Sequence, residues 1–387
     1  MGCGGRSRAA AFRIAVALTL SAGAVAGCES SVPFYPPGKG PRDGPVVGLG
    51  APAPYLPARP GAPPTAPLPE PAPAPAPDRP GGGRRARLYV AKGRVIDIVD
   101  LRTLRIVGHL RTGMVASQIV PSWDLRRWWA ADRAHGVLVP VSAGGPGRPV
   151  WVTGAVRLYF SPDGHDALVL AQTPNRIDVR DRATMLPRAS VPLPCRAGHA
   201  GFTLDGSTLV ATCASTGTLV RVDRATRRVT GTIRLPRGAR PGDLRLSPDG
   251  TAFHIADPAT GGLWLVDARR FALLGFVPTA PGARGLAISR DARRLFVVGG
   301  GVLTAVDFAT QRVTSRGPLP GRGSPVPGGV SPDGTALWLA DPTGLVYAVS
   351  TSTGRVLRTF RISGRPVGLC VHPPPGRYSL GGTGVYR

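Results

Sequence analysis

Four side chains that could do chemistry stand at one point of a recurring pattern. Gln118, Arg157, His199 and Asp243 each precede by four residues a Ser or Thr that opens a short polar turn: Ser122, Ser161, Thr203 and Ser247. An amide, a cation, a titratable imidazole and an anion suit a small polar or zwitterionic ligand. Arg157 would hold a carboxylate or phosphate through its paired N–H groups, and Asp243 an amine or hydroxyl. The corresponding residues before Ser289, Ser331 and His372 are Gly285, Pro327 and Gly368. Large polar groups therefore occupy four of the seven positions. Burying one without a partner costs ~1–3 kcal/mol. The four must face one another, as a self-satisfied polar patch, or face a ligand, and both readings stay open here.

Few other residues are available for catalysis. The only glutamates are Glu29 and Glu70, which removes a common general acid or base from the later chain. Most aspartates from residue 84 onward recur in register with the turns, and only Asp97, Asp166, Asp178 and Asp243 of these fall outside the repeated places. The six histidines are scattered without metal-type spacing, and no nucleophile elbow, P-loop or Rossmann glycine pattern is present. No catalytic residue, metal or cofactor is expected. Cys195, His199 and Cys213 allow two readings, a zinc or copper site or a Cys195–Cys213 disulfide. Pairing across the hairpin at 204–207 puts Cys213 roughly opposite Gly198, three residues from Cys195. In an exported protein that closeness favours the disulfide.

The polar turns are the anchors of a repeat. Ser-Pro-Asp-Gly begins at Ser161, Ser247 and Ser331, with degenerate copies at Ser122, Thr203, Ser289 and His372, spaced 39, 42, 44, 42, 42 and 41 residues apart. Each anchor joins two short apolar runs, and Asp-Gly between such runs is a hairpin signal because the turn needs positive φ. A third run ends in Asp100, Asp181, Asp223, Asp267 or Asp307, where the carboxylate can bond the turn that it starts. A fourth run follows. Four strands per repeat of about 42 residues make one propeller blade.

The segment RLYVAK at 87–92, followed by VIDIVDLRT, resembles the YVTN-type β-propeller repeat family, and the resemblance extends to about residue 372. It implies an all-β fold: a seven-bladed β-propeller of four antiparallel strands per blade, closed by pairing of N- and C-terminal strands. The chain enters at a second strand, 87–91, and its last innermost strand is 366–371, so these two should pair and leave no free edge at the seam. Residues 378–387 have no place in this scheme. The family prefers a small residue four before each anchor, on the innermost strand near the funnel mouth, so Gln118, Arg157, His199 and Asp243 depart from its rule. His135 and Asn175, between second and third strands, would rim that mouth. Cys370 falls on an inner apolar strand, as a buried thiol. The resemblance is informative on fold and leaves function between two classes. One is a non-catalytic binding or scaffold module. The other is an enzyme like the sugar lactonases or quinone-dependent dehydrogenases that share this architecture. Metal-type lactonases commonly include a Glu among convergent carboxylates, and quinoprotein dehydrogenases need a calcium site and a stacking Trp. The six tryptophans here sit at strand or turn positions.

The N-terminus reads as an address. Arg6, Arg8 and Arg13 precede an apolar run, 14–27, that is too short to span a bilayer. The run ends in Val-Ala-Gly-Cys28, which is similar to the bacterial lipobox, in which the cysteine is lipidated and becomes the mature N-terminus. Residues 1–27 are thus expected to be a lipoprotein signal peptide, 28–83 a Pro-rich tether and 84–387 the propeller. Localisation would be extracytoplasmic, at the outer face of the bacterial cytoplasmic membrane, to which the Cys28 lipid attaches the chain. The tether's ~50 residues at ~3 Å each reach up to ~150 Å. Net charge is +26, and all basic residues except Lys39 and Lys92 are arginine. Many arginines cluster at turns away from the funnel, either as a solvated Arg-biased surface or for attraction to anionic lipid or wall polymer. An envelope protein or a small polar ligand is the expected partner. Nucleic acid is not expected, because the chain is exported and lacks interleaved stacking aromatics.

Overall fold

The structure, a computed structural model, describes residues 86–372 except 125 and 322. Residues 1–83, with the signal peptide, Cys28 and the tether, lie outside the described residues, as do 378–387. Every regular element among the described residues is a β-strand. The strands form seven antiparallel sheets arranged as the blades of a seven-bladed β-propeller.

The third blade represents the plan, with strands Ala155–Phe160, Asp166–Gln172, Asn175–Asp181 and Pro187–Pro192 running from the axis outward. Second strands such as Trp128–Asp132 and Ala252–Asp257 are buried along their whole length. They are sandwiched between neighbouring blades, so they read as largely apolar runs. Fourth strands lie at the outer rim and face water; Arg228–Arg234 alternates between exposed and half-buried. The second blade departs from the plan. Its outer strand is split into Gly145–Pro146 and Val150–Trp151, both paired to Val137–Ser142. Pro146 and Pro149 have no N–H to give to a ladder, which interrupts the strand there.

The ring is closed as expected. Arg87–Lys92 pairs with Val95–Asp100 on one side and with Pro366–His372 on the other. The first blade therefore takes its innermost strand from the far end of the chain. Core clusters lie between blades, and the one at the seam joins Leu88, Val90 and Val99 to Trp338, Val346 and Leu369.

The anchors are compact polar knots. The hydroxyls of Ser122, Ser161, Ser247 and Ser289 each donate to the Asp two residues on at 2.5 Å, and Thr203 does so to Asp205 at 2.6 Å. Each hydroxyl also accepts the N–H five residues on, as Ser247 does from Ala252 at 3.0 Å. At the other turn on this face, Asp181 Oδ1 accepts the N–H groups of Ala183 and Thr184 at 2.9 and 2.8 Å. Those N–H donors and the Thr184 hydroxyl hold the Asp181 carboxyl down at about 2. These two turn sets share the hairpin face of the ring. The connections between second and third strands, and those that link blades, share the mouth face.

Among the described residues the anchors show one local misfit. Gly164, Gly206, Gly250 and Gly334 close their turns at positive φ, but Ala292 does so at φ 56° in the Ser289 anchor. A Cβ in the left-handed region costs ~1–2 kcal/mol. Glycine's extra freedom in the unfolded chain returns ~0.4–1 kcal/mol of that. Ala292→Gly should therefore stabilise the protein by about 0.5–1 kcal/mol, read as a rise in the urea midpoint at unchanged m value.

Candidate functional site

The four residues selected from the sequence occur together at the mouth, on neighbouring innermost strands. Gln118 and His199 open the strands Gln118–Pro121 and His199–Phe202, Arg157 is third in Ala155–Phe160, and Asp243 immediately precedes Leu244–Leu246. Arg157 donates from Nε to the Gly198 carbonyl at 2.9 Å and from Nη2 to His199 Nε2 at 3.2 Å. On the other side of the ring, His199 Nδ1 lies 3.6 Å from Asp243 Oδ1. The four split into two pairs with different roles.

Gln118 and Asp243 act as staples between blades. Gln118 receives the Leu158 N–H at 3.0 Å and donates to the Leu158 carbonyl at 3.4 Å. It thereby imitates a strand partner for the next blade's inner strand. Asp243 accepts the N–H of Leu286, also one blade on, at 3.2 Å and that of Leu244 at 3.0 Å. Its strongest partner is a residue absent from the sequence-based set. Arg245 is buried and grips Asp243 with two bonds, 2.7 and 3.0 Å, while also donating to the carbonyls of Leu244 and Leu286. Burial would raise the Asp243 carboxyl, but the Arg245 charge and the His199 contact hold it well below the usual carboxylate range. Both Asp243 oxygens are thus engaged inside the protein, and the expected hold on a ligand amine or hydroxyl gives way to a structural role. Arg245 had a detectable signal, since an arginine between two leucines on an inner strand must be paired to be buried.

Arg157 and His199 face the opening. Arg157 is half-buried, and its Nη1 makes no hydrogen bond among the described residues. The His199 ring is about a quarter exposed. Burial, then the Arg157 charge, pushes its pKa down to about 4, against the opposing pull of Asp243. The neutral ring accepts from Arg157 at Nε2, which assigns its proton to Nδ1 on the Asp243 side.

His135 and Asn175 lie on the mouth face but bond to none of these four among the described residues. His135 turns its Nδ1 to Asp132 at 2.7 Å with most of the ring in water. Asn175 opens the strand Asn175–Asp181, and its carbonyl accepts the Leu193 N–H at 3.0 Å. The remaining three positions are closed by packing. A Cβ on Gly285 would come within 2.8 Å of Pro327, and one on Gly368 within 3.0 Å of Ile119.

The charge of the mouth face is one-sided. Arg94, Arg133, Arg196, Arg237, Arg240 and Arg365 are exposed on its connections. Its carboxylates Asp132, Asp257 and Asp341 are buried and each bonds a neighbouring N–H. Asp257 also takes the Arg240 N–H from the incoming connection at 2.8 Å. The matching residue of the fourth blade is Cys213, which is disulfide-bonded to Cys195 in that blade's own incoming connection. A covalent link thus replaces the carboxylate clasp. It closes a loop of 18 residues, about 3 kcal/mol in the chain-entropy model. In the sixth blade the place is Gly299, where a Cβ would meet the Gly282 carbonyl at 2.0 Å. Cys370 is buried and free.

Comparison with known proteins informs on the fold. No family model matches the chain, and no curated protein sequence matches it. Among solved structures, the chain is similar to hydrazine synthase of Kuenenia stuttgartiensis, at 17% identity and a TM-score of 0.55, over 70% of this chain and 90% of that one. It is also similar to a functionally unknown protein from Desulfotomaculum acetoxidans, at 15% identity and a TM-score of 0.60, over 74% of this chain and 99% of that one. The class that fold and site define is a seven-bladed β-propeller with a polar, cationic mouth.

The split of the four residues into staples and mouth groups has a direct consequence for stability. Asp243→Ala leaves Arg245 buried without its counter-charge and should cost about 3–5 kcal/mol. Arg157→Ala removes a half-exposed group whose carbonyl partner can be hydrated, and should cost less than about 1 kcal/mol. Denaturant melts of the two variants check the ordering.

Proposed function

We propose that this chain is a lipid-anchored, non-catalytic binding propeller of the bacterial cell envelope, whose mouth takes a ligand or partner group carrying a carboxylate or phosphate. One observation carries the reading. The Arg157 guanidinium keeps a donor edge unspent at an opening where the exposed charges are arginines and the carboxylates are buried and bonded. An anion there gains charge-assisted bonds from Arg157, and the surrounding arginines raise its local concentration and association rate. The bound group is expected to be anionic rather than zwitterionic, because Asp243 is occupied by Arg245.

The envelope location rests on the sequence: the basic start, the apolar run and Val-Ala-Gly-Cys28. The YVTN-type repeats support a binding or scaffold role in the same compartment. The enzyme reading gains nothing from the mouth, where Asp243, the inner-strand carboxylate, is held by Arg245 and three further contacts.

Binding is tested by calorimetric titration with inorganic phosphate and with short dicarboxylates at low salt. The wild type should bind at least one probe, and Arg157→Ala should weaken it by roughly tenfold or more, the scale of one charged hydrogen bond. Equal binding by both proteins would remove the mouth as the site. Anchoring is tested separately in a bacterial host. Cys28→Ala should release the protein from membranes or leave the precursor at full length. A mature-sized variant still in the membrane fraction would show that Cys28 is not the anchor.

A further inference from the structure

The two faces of the ring carry their charges differently. Six aspartates are exposed among the described residues: Asp124, Asp163, Asp205, Asp249, Asp291 and Asp333. All six stand in anchor turns on the hairpin face. Arginines there stand among carboxylates, as Arg224 does with Asp163 and Asp166 at 3.0 and 3.2 Å. The mouth face shows water one sign only. To the exposed arginines of its connections it adds Arg284, near the start of the innermost strand Ala283–Ile288. Arg111, Arg234 and Arg361 are exposed at the mouth ends of outer strands, opposite Val95, Thr218 and Leu345.

None of these guanidinium groups has a hydrogen-bond or ion-pair partner among the described residues. Lys92, the one lysine in that range, is spent on Asp97 at 2.6 Å and Ser363 at 2.9 Å. The unspent arginines are distributed over every blade except the third. A single small anion at Arg157 bonds only groups within about 3 Å of it, so it leaves most of this ring unmet. A ligand that meets the ring must carry many negative groups and span the opening.

We infer that the mouth face binds a linear polyanion, a polymer with phosphate or carboxylate groups repeated along its chain, held by Arg94, Arg133, Arg237, Arg240, Arg284 and Arg365 around Arg157. The inference rests on the anion-binding reading of the mouth and enlarges the ligand from one group to a chain of them. A guanidinium fork offers paired N–H groups to each phosphate or carboxylate. Contacts along one chain act together, because each bound group raises the effective concentration of the next. An acidic protein surface fits less well, since protein interfaces are centred on apolar and aromatic anchors. Of the ten large exposed hydrophobics among the described residues, Val115 alone stands on a mouth-face connection. Trp151 lies on the split outer strand of the second blade, and the rest on other outer strands or hairpin turns.

The test uses the chain from residue 28 onward with Cys28→Ala, so that no acyl group is present. It is titrated by calorimetry with long-chain polyphosphate, polyacrylate, orthophosphate and the acidic protein ovalbumin. At least one polymer should bind about a hundredfold or more tighter than orthophosphate, with log K falling linearly against log salt. The two polymers distinguish a phosphate chain from a carboxylate chain. The variant Arg94→Glu/Arg237→Glu/Arg365→Glu should weaken polymer binding by more than about tenfold, and orthophosphate binding by a smaller factor. The matched variant Arg105→Glu/Arg269→Glu/Arg293→Glu on the hairpin face should bind polymer like wild type. All six positions are exposed, and unchanged melting curves check that the fold persists. An equal loss in the matched variant would mean general attraction by net charge and overturn the inference. So would polymers bound no tighter than orthophosphate, or ovalbumin bound as tightly as either polymer, which would mark the face as a site for acidic proteins. Failure of the reading at Arg157 is a separate result, in which orthophosphate binds wild type and Arg157→Ala alike whatever the polymers do.

Discussion

The structure depends on closing a ring of seven sheets. Strand Pro366–His372 completes the blade that begins at Arg87, so the two ends of the domain are held in one ladder and no open sheet edge remains at the seam. Loss of that pairing would expose an apolar cluster shared by the first and seventh blades. Closure also fixes how near the innermost strands come to one another. They converge on a channel, where each has backbone groups turned toward a neighbour too far away for a regular ladder. That constraint explains the two kinds of residue found there. Glycine or proline allows close approach, as Gly285 does against Pro327, and a polar side chain bridges where approach is looser, as Gln118 does to Leu158.

The mouth follows from the same constraint. A residue whose polar atoms are all taken up in bridging blades is consumed by the fold, and one that bridges with atoms to spare stays open at the mouth. Asp243 belongs to the first kind because Arg245 and Leu286 occupy its oxygens. Arg157 belongs to the second, bonded along one edge and open along the other. His199 between them is kept neutral by burial and by the Arg157 charge. The site is therefore built from a rigid framework, which is the condition for a preorganised anion hold.

Local chemistry was legible in the sequence, and contacts between blades were not. The Ser/Thr-x-Asp anchors could be read directly because every partner lies within five residues, as in Ser247, Asp249 and Ala252. The number of blades followed from their spacing, and the proximity of Cys195 to Cys213 followed from hairpin register. The position four before each anchor stood out because its residue types broke the repeat. Which of those residues bridge blades could not be read, since the Gln118–Leu158 and Asp243–Leu286 bonds span 40 and 43 residues. Arg245 was overlooked although it is the one charged residue among the seven positions two before the anchors, which are otherwise Val120, Tyr159, Gly201, Ala287, Gly329 and Cys370. The sequence reading expected a regular fourth strand in every blade; in the second blade Pro146 and Pro149 remove ladder donors and split it.

The central claim is that a neutral His199 and a partly free Arg157 form an anion-holding mouth. The most direct measurement is the NMR titration of the His199 ring with and without inorganic phosphate. The account predicts a pKa of about 4 without phosphate, with Nε2 unprotonated at neutral pH, and an upward shift when phosphate binds, since a nearby anion favours the charged ring. A pKa near the ordinary 6.5, unmoved by phosphate, would contradict it.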